Sequence, residues 1–243
     1  MSLFLVLAFL FSAGSLIGWV LELLFRKFFS TSNPTHRWVN PGFLVGPYLP
    51  LYGFSLCVLF LLSYIEIPFI QNPVAKKIAL FVVMSIVITF IEYLAGLIFI
   101  KGMNIKLWDY STRWGNIKGI ICPLFSFFWI LLSAIYYFLI HPSIVSSVYW
   151  LSNHLAFSFV VGFFYGIFVI DLSYSLQLMV KIRQFAKEKQ IVVRLEAFRE
   201  HVHQKNMQLK EKAHFILTLK SETQSLRENL VQFVESVKKE IKK

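Results

Sequence analysis

Five stretches of this chain are long and apolar enough to cross a bilayer as helices, at about 3–25, 47–65, 78–100, 120–140 and 155–180. Inside lipid every backbone N–H and C=O must find its partner within the protein, so only helices and closed barrels span. The short alternating segments of a barrel are missing, which leaves helices. Composition agrees: 57% of the 243 residues are hydrophobic, 15% are charged, and mean hydropathy is +0.64. A soluble domain carries about 25% charge. An ordinary soluble globule, a disordered chain, a collagen and a disulfide scaffold are therefore excluded. The first apolar run lacks a basic leader and exceeds a signal-peptide core, so it is expected to be a retained anchor. Cys57 and Cys122 lie in apolar runs without metal-ligand spacing and read as small buried hydrophobes.

Charge divides the chain at residue 180. Of the 24 Lys/Arg and 13 Asp/Glu, 15 and 8 respectively fall in 181–243. Residues 1–180 are thus expected to be a five-helix membrane domain, and 181–243 a basic helical tail. Short loops rich in Lys/Arg stay in the cytosol. The first and third loops plus the tail hold 22 of the 24 basic residues, and the second loop holds Lys76 and Lys77. The expectation is a multi-pass protein of the cell membrane, N-terminus outside and C-terminus cytosolic.

The first and third loops resemble one another. Arg37-Trp38-x-Asn40-x6-Pro47 matches Arg113-Trp114-x-Asn116-x6-Pro123 at a constant offset of 76. Each unit would be helix, cytosolic loop, helix. Two parallel repeats, about 10–65 and 85–140, would form a four-helix core beside an extra helix at 155–180. Gly14-x3-Gly18 and Gly162-x3-Gly166 would permit close helix approach.

Ionisable groups inside a bilayer are costly and default to functional candidates. Glu22, Glu92 and Asp171 all fall in the cytosolic half of their helices, with Arg26, Arg37, Arg113 and Lys118 as candidate counter-charges. The first loop, from Pro41 and Gly42 through Gly46, Pro47, Tyr48, Pro50, Tyr52 and Gly53, is too rich in Gly and Pro for a helix. It is also too apolar for a solvated loop, so a re-entrant segment packed on protein is expected. Pro47 is expected near the first turn of the second helix. The N-termini of the second and fourth helices would point at the same place as the acids. Asp109 could cap a turn or pair with Arg37 or Arg113.

The runs Gly18-Trp19-x2-Glu22, Asn40-x-Gly42-Phe43-Leu44-x-Gly46-Pro47-Tyr48-x-Pro50-x-Tyr52-Gly53, Glu92-Tyr93, Trp108-Asp109-Tyr110-Ser111 and Asn116-x2-Gly119 resemble the bacterial ABC-transporter permease family of CmpB type. The resemblance covers about residues 10–130. It implies a transport permease, with Glu22, Pro47, Tyr48, Tyr52, Gly53, Glu92, Asp109, Asn116 and Gly119 in the common core. The chain departs from the family pattern at Ile100, where a second acid often follows the Glu-Tyr pair. The site is therefore less acidic than the pattern implies.

No G-x4-G-K-[ST], G-x-S-x-G or H-E-x-x-H occurs. No metal, no cofactor and no catalytic residue is assigned. In the tail, heptad positions Ile191, Leu195, Phe198, Val202, Leu209, Ile216, Leu219, Thr223, Leu226, Leu230, Phe233 and Val237 suit a seam, which Lys205 and Lys212 interrupt midway and Glu240 ends. A long amphipathic or coiled-coil helix is expected, pairing with a second copy or a helical partner through 185–243. Its mixed charges do not suit nucleic acid.

The function expected is that of a permease-like subunit embedded in membrane lipid. A polar cytosolic-facing cavity would take a polar or anionic solute or a lipid headgroup. Candidate cavity residues are Glu22, Arg37, Tyr48, Tyr52, Glu92, Asp109, Arg113 and Asn116. Gly18, Trp19, Gly42, Gly46, Pro47, Pro50, Gly53, Trp108, Gly119 and Pro123 would shape the motifs. ATP coupling would need a separate ATPase. The alternatives are an embedded enzyme acting on a lipid-linked substrate, and a non-catalytic scaffold with a coiled-coil tail.

Overall fold

The computed structural model describes residues 2–30, 33, 36–202, 228–232 and 234, and they are overwhelmingly helical. Four helices are long and apolar enough to cross a membrane: Leu3–Phe28, Pro73–Met103, Pro123–Leu151 and Ser158–Glu188. Helix α1 (Leu3–Phe28) starts at Ser2, whose Oγ accepts from Leu5 N, and ends with Arg26 and Lys27 in its last turn. Cations there complement the carbonyl end of the helix. Its 26 residues reach about 39 Å, beyond the ~30 Å hydrocarbon layer.

The segment expected to cross at 47–65 contains α2 (Pro50–Ser63), a 14-residue helix. It is about 21 Å long, shorter than the others. Its start is set by Pro50 in the first turn, so Pro47 lies ahead of the helix rather than within it. In the third loop Pro123 itself opens α4 (Pro123–Ile135). The 76-residue offset that aligns Pro47 with Pro123 therefore does not align the two helix starts. Helix α3 (Pro73–Met103) follows α2, and a two-residue strand β1 (Ile105–Lys106) follows α3. After α4 the backbone widens into a π segment, Tyr136–Ile140, before α5 (His141–Asn153). Pro142 explains this: it has no N–H to give and crowds the carbonyl four residues earlier, which a π turn relieves. Helix α6 (Ser158–Glu188) precedes strand β2 (Val193–Arg194).

The chain divides into two compact units, Met1–Ala95 with Tyr110–Ser175, and Gly96–Asp109 with Leu176–Lys243. In the first unit α1 and α2 lie backbone to backbone. A Cβ on Gly14 would stand 3.0 Å from Leu56, one on Gly18 2.2 Å from the Tyr52 ring, and one on Gly53 2.6 Å from the Phe11 carbonyl oxygen. Gly162 and Gly166 on α6 meet nothing within 4 Å, so the second small-residue pair packs no helix among the described residues. Three apolar clusters knit the unit: Val6, Leu10 and Phe60; Leu59, Met84, Ile88 and Tyr136; and Phe11, Leu44, Tyr48 and Phe168. Phe4, Phe159, Phe163 and Ile170 are exposed, as a surface in contact with lipid requires.

The second unit revises the expected tail. Instead of running on as one helix, α6 stops at Glu188, and Gln190 takes a left-handed φ of 51°. Val193 and Arg194 then pair in parallel with Ile105 and Lys106, Val193 N donating to Asn104 O at 3.0 Å. The cause is local: Ile191-Val192-Val193 is a β-branched run, stiff in a helix and well suited to a strand. Residues 195–202 are helical again. Leu195 and Phe198, two of the seam positions, are buried within this unit. The heptad positions from Lys205 to Leu226, together with Phe233 and Val237, lie outside the described residues. Arg194 Nε lies 2.8 Å from Asp109 Oδ2 with its side chain 62% exposed. Solvent screens such a pair, so Arg194→Ala is expected to cost under about 1 kcal/mol. Thermal melting in detergent checks this.

Candidate functional site

Within the first unit, side chains from α1, α2, α3, α4 and the loop after β1 meet around two carboxylates. Glu22 and Arg26 are four residues apart on α1, which places them on one face. Arg26 Nε donates to Glu22 Oε1 at 3.0 Å, and both side chains are mostly buried. Tyr52, in the first turn of α2, donates its hydroxyl to Glu22 Oε2 at 3.0 Å. Both oxygens of Glu22 are thus engaged. The missing Cβ of Gly18 is what lets the Tyr52 ring reach this position.

Glu92 comes from α3 and is 2% exposed. Its carboxyl faces two side-chain hydrogen-bonding neighbours, Trp129 of α4 and Tyr110 of the loop, with Glu22 near enough to repel it. Its Oε2 is buried without a hydrogen-bond partner. The Trp129 and Tyr52 rings lie 4.9 Å apart, and Tyr110 stacks on Phe125 at 4.2 Å and 6°. Phe125 is in the first turn of α4. The opening turns of α2 and α4 therefore both lie beside the acids, where the positive helix ends favour carboxylate. Burial, then the Glu92 and Glu22 carboxylates, hold the Tyr110 phenol well above its usual range, so it acts as a donor.

The loop motif around Asn116 positions Tyr110. Asn116 Nδ2 donates to Ser111 O and Arg113 O, and its Oδ1 accepts from Gly119 N at 3.0 Å. Gly119 O in turn accepts from Tyr110 N at 2.8 Å. Gly119 has φ +68°, a left-handed backbone that glycine adopts without strain.

A second constellation fixes the Gly/Pro-rich segment. Asp171 of α6 accepts from Val45 N (3.1 Å), Gly46 N (2.7 Å), Tyr48 Oη (2.6 Å) and Ser175 Oγ (2.8 Å). Asn40 Nδ2 donates to Leu44 O and Val45 O, and Trp19 Nε1 donates to Asn40 Oδ1 at 2.9 Å. Leu49 N donates to Ser15 O. A Cβ on Gly46 would overlap the Tyr48 ring, and Leu44 is fully buried. The segment is packed on α1 and α6.

Of the candidate residues, Glu22, Tyr52 and Glu92 stand together. Tyr48 is committed to Asp171 instead. Arg37 is exposed, its backbone tied to Asn33, and it is not among the groups around Glu92. Arg113 is half-buried, and Asn116 serves the loop. Asp109 belongs to the second unit, where it pairs with Lys106 at 3.0 Å and with Arg194 at 2.8 Å. Trp129 and Phe125 escaped the sequence reading because they sit in an apolar run with no polar neighbour to mark them. Arg26 was legible as a counter-charge, and its spacing from Glu22 is the signal that identifies its partner. Among the described residues no group of three His, Cys, Asp or Glu could hold a metal.

The family described as "Putative ABC-transporter type IV" (ABC_trans_CmpB) matches residues 9–176. That range covers the Glu22–Glu92 cluster and the Asp171 staple and stops short of β2. No curated protein and no solved structure matches the chain.

Proposed function

The chain belongs to the ABC_trans_CmpB family, and on that premise we propose that it is a permease-like subunit of the membrane whose Glu22–Tyr52–Glu92 cluster receives a polar solute or a lipid headgroup. One observation carries the reading: a carboxylate that is 2% exposed, with a partnerless oxygen, inside a ring of polar and aromatic side chains from separate elements. Buried charges are destabilising unless paired, so their persistence in a membrane helix marks a functional position. Of the polar or anionic solutes, an anion is the less favoured, because Arg26 is engaged by Glu22 and Arg37 is exposed.

The finer architecture belongs to the same proposal. Helix α2 and the packed segment ahead of it complete a fifth crossing, giving a multi-pass chain with N-terminus outside and C-terminus cytosolic. The distribution of Lys and Arg supports that orientation. The two loop motifs centred on Asn40 and Asn116 are copies of one repeat, since each asparagine ties its own loop together. A separate ATPase supplies the energy, in keeping with the missing phosphate-binding loop. The region 185–243 contacts a second copy or a helical partner.

Glu92→Ala is the test. Cells carrying the variant in place of the wild type are expected to lose at least about tenfold of the protein-dependent change in solute or lipid profile, with membrane abundance unchanged. A wild-type profile in the variant would remove the reading.

A further inference from the structure

We propose that the Glu92 site binds an organic ammonium group, carried either by a small amine or by a lipid headgroup; this deepens, and rests on, the polar-site reading above. The argument begins with the orphaned acceptor. Glu92 Oε2 is buried and has no donor, although its neighbours carry several. Tyr52 gives its only hydroxyl proton to Glu22 Oε2, and Arg26 Nε is held by Glu22 Oε1. Trp129 and Tyr110 face the same carboxyl and still leave Oε2 unmatched. Leaving the acceptor unmatched is costly: a buried oxygen without a partner forfeits its hydration, about 1–3 kcal/mol and more when charged. A donor brought in from outside the cluster would satisfy it.

Charge selects the kind of donor. Glu22 and Arg26 cancel one another, so the ionised form of Glu92 would carry the unbalanced charge of the cluster. A monocation balances it, and an anion is repelled. The lining then favours nitrogen over a metal ion. A divalent cation needs six or more oxygens, and here one carboxylate oxygen is open. An ammonium needs one good acceptor and aromatic faces for its remaining surface. Trp129, Tyr52 and Tyr110 are the aromatic side chains of the cluster, and indole is the strongest face of this kind. An N–H···Oε2 bond would be charge-assisted on both sides.

The test uses the full chain in nanodiscs of phosphatidylglycerol, which carry no amine, titrated with ethanolamine and followed by calorimetry. Saturable binding is expected, with none for the neutral analogue ethylene glycol and at least tenfold weaker binding in Glu92→Gln. Trp129→Leu, which keeps the carboxylate, is expected to weaken binding severalfold and stands in if Glu92→Gln does not fold. Discs containing phosphatidylethanolamine distinguish the sources. Suppressed ethanolamine binding identifies the lipid amine, and undiminished binding identifies a free solute amine. No saturable binding of ethanolamine by the wild type, with phosphatidylethanolamine equally unbound, would overturn the proposal, as would equal binding by wild type and both variants. If amine binding fails while Glu92→Ala still abolishes the cellular profile, the ammonium is lost and the polar-site reading survives. If Glu92→Ala is also silent, both are lost.

Discussion

Gly53→Ala is expected to dismantle the α1–α2 pair. The added methyl would stand 2.2 Å from Ser15 Oγ and 2.6 Å from the carbonyl oxygen of Phe11. A side chain such as Ser15 can rotate, but Phe11 O is backbone of a helix and cannot. The two helices must therefore separate. That loosens the contacts of Gly14 with Leu56 and of Gly18 with Tyr52, because all three glycines lie along the same contact. Overpacking usually costs about 1–3 kcal/mol, and this site stands at the top of that range or above it. The expected result is a large drop in melting temperature in detergent, with the Tyr52–Glu22 bond lost. Gly162→Ala is the control: nothing lies within 4 Å of its Cβ position, so its melting is expected to match the wild type.

The second large effect is expected from Asp171→Ala. The substitution leaves Val45 N, Gly46 N and the Tyr48 hydroxyl without their acceptor, and Tyr48 is 3% exposed. Hydrogen bonds to a charged group contribute roughly 1.5–3 kcal/mol each, so the total loss is expected to be about 3 kcal/mol or more. The segment from Gly42 to Pro50 should come free of α6, read as faster proteolysis or hydrogen exchange there. Ser175→Ala removes one donor from the same carboxylate and is expected to cost roughly 1.5 kcal/mol, the low end of that range. Wild-type melting of Asp171→Ala would show that apolar packing of Leu44 and Tyr48 alone holds the segment.

Much of the architecture was legible before the structure. Pro123 announces a helix start and does open α4, whereas the start expected near Pro47 falls three residues later, at Pro50. The Gly/Pro-rich first loop was expected to be packed on protein rather than solvated, and Leu44 at its centre is fully buried. The expected single helix breaks after Glu188 because heptad spacing and strand propensity overlap at Ile191-Val192-Val193. A periodicity count weighs only the apolar positions and ignores β-branching. The strand that captured Val193 and Arg194 is Ile105–Lys106, far away in sequence.

The sequence by itself determined that this protein is helical and lives in a membrane, because apolar runs of bilayer length leave the backbone no other way to satisfy its hydrogen bonds. It also marked the acids as exceptional, since nothing local explains a carboxylate in such a run. Only the tertiary structure decided which acid meets which partner. Tyr52 reaches Glu22 across 30 residues, and Tyr48 reaches Asp171 across 123. Helices that are apolar all round carry too little periodicity to fix their rotation against one another. That rotation is set by glycine contacts and ring packing, and it is what leaves Glu92 facing Trp129 with one oxygen open.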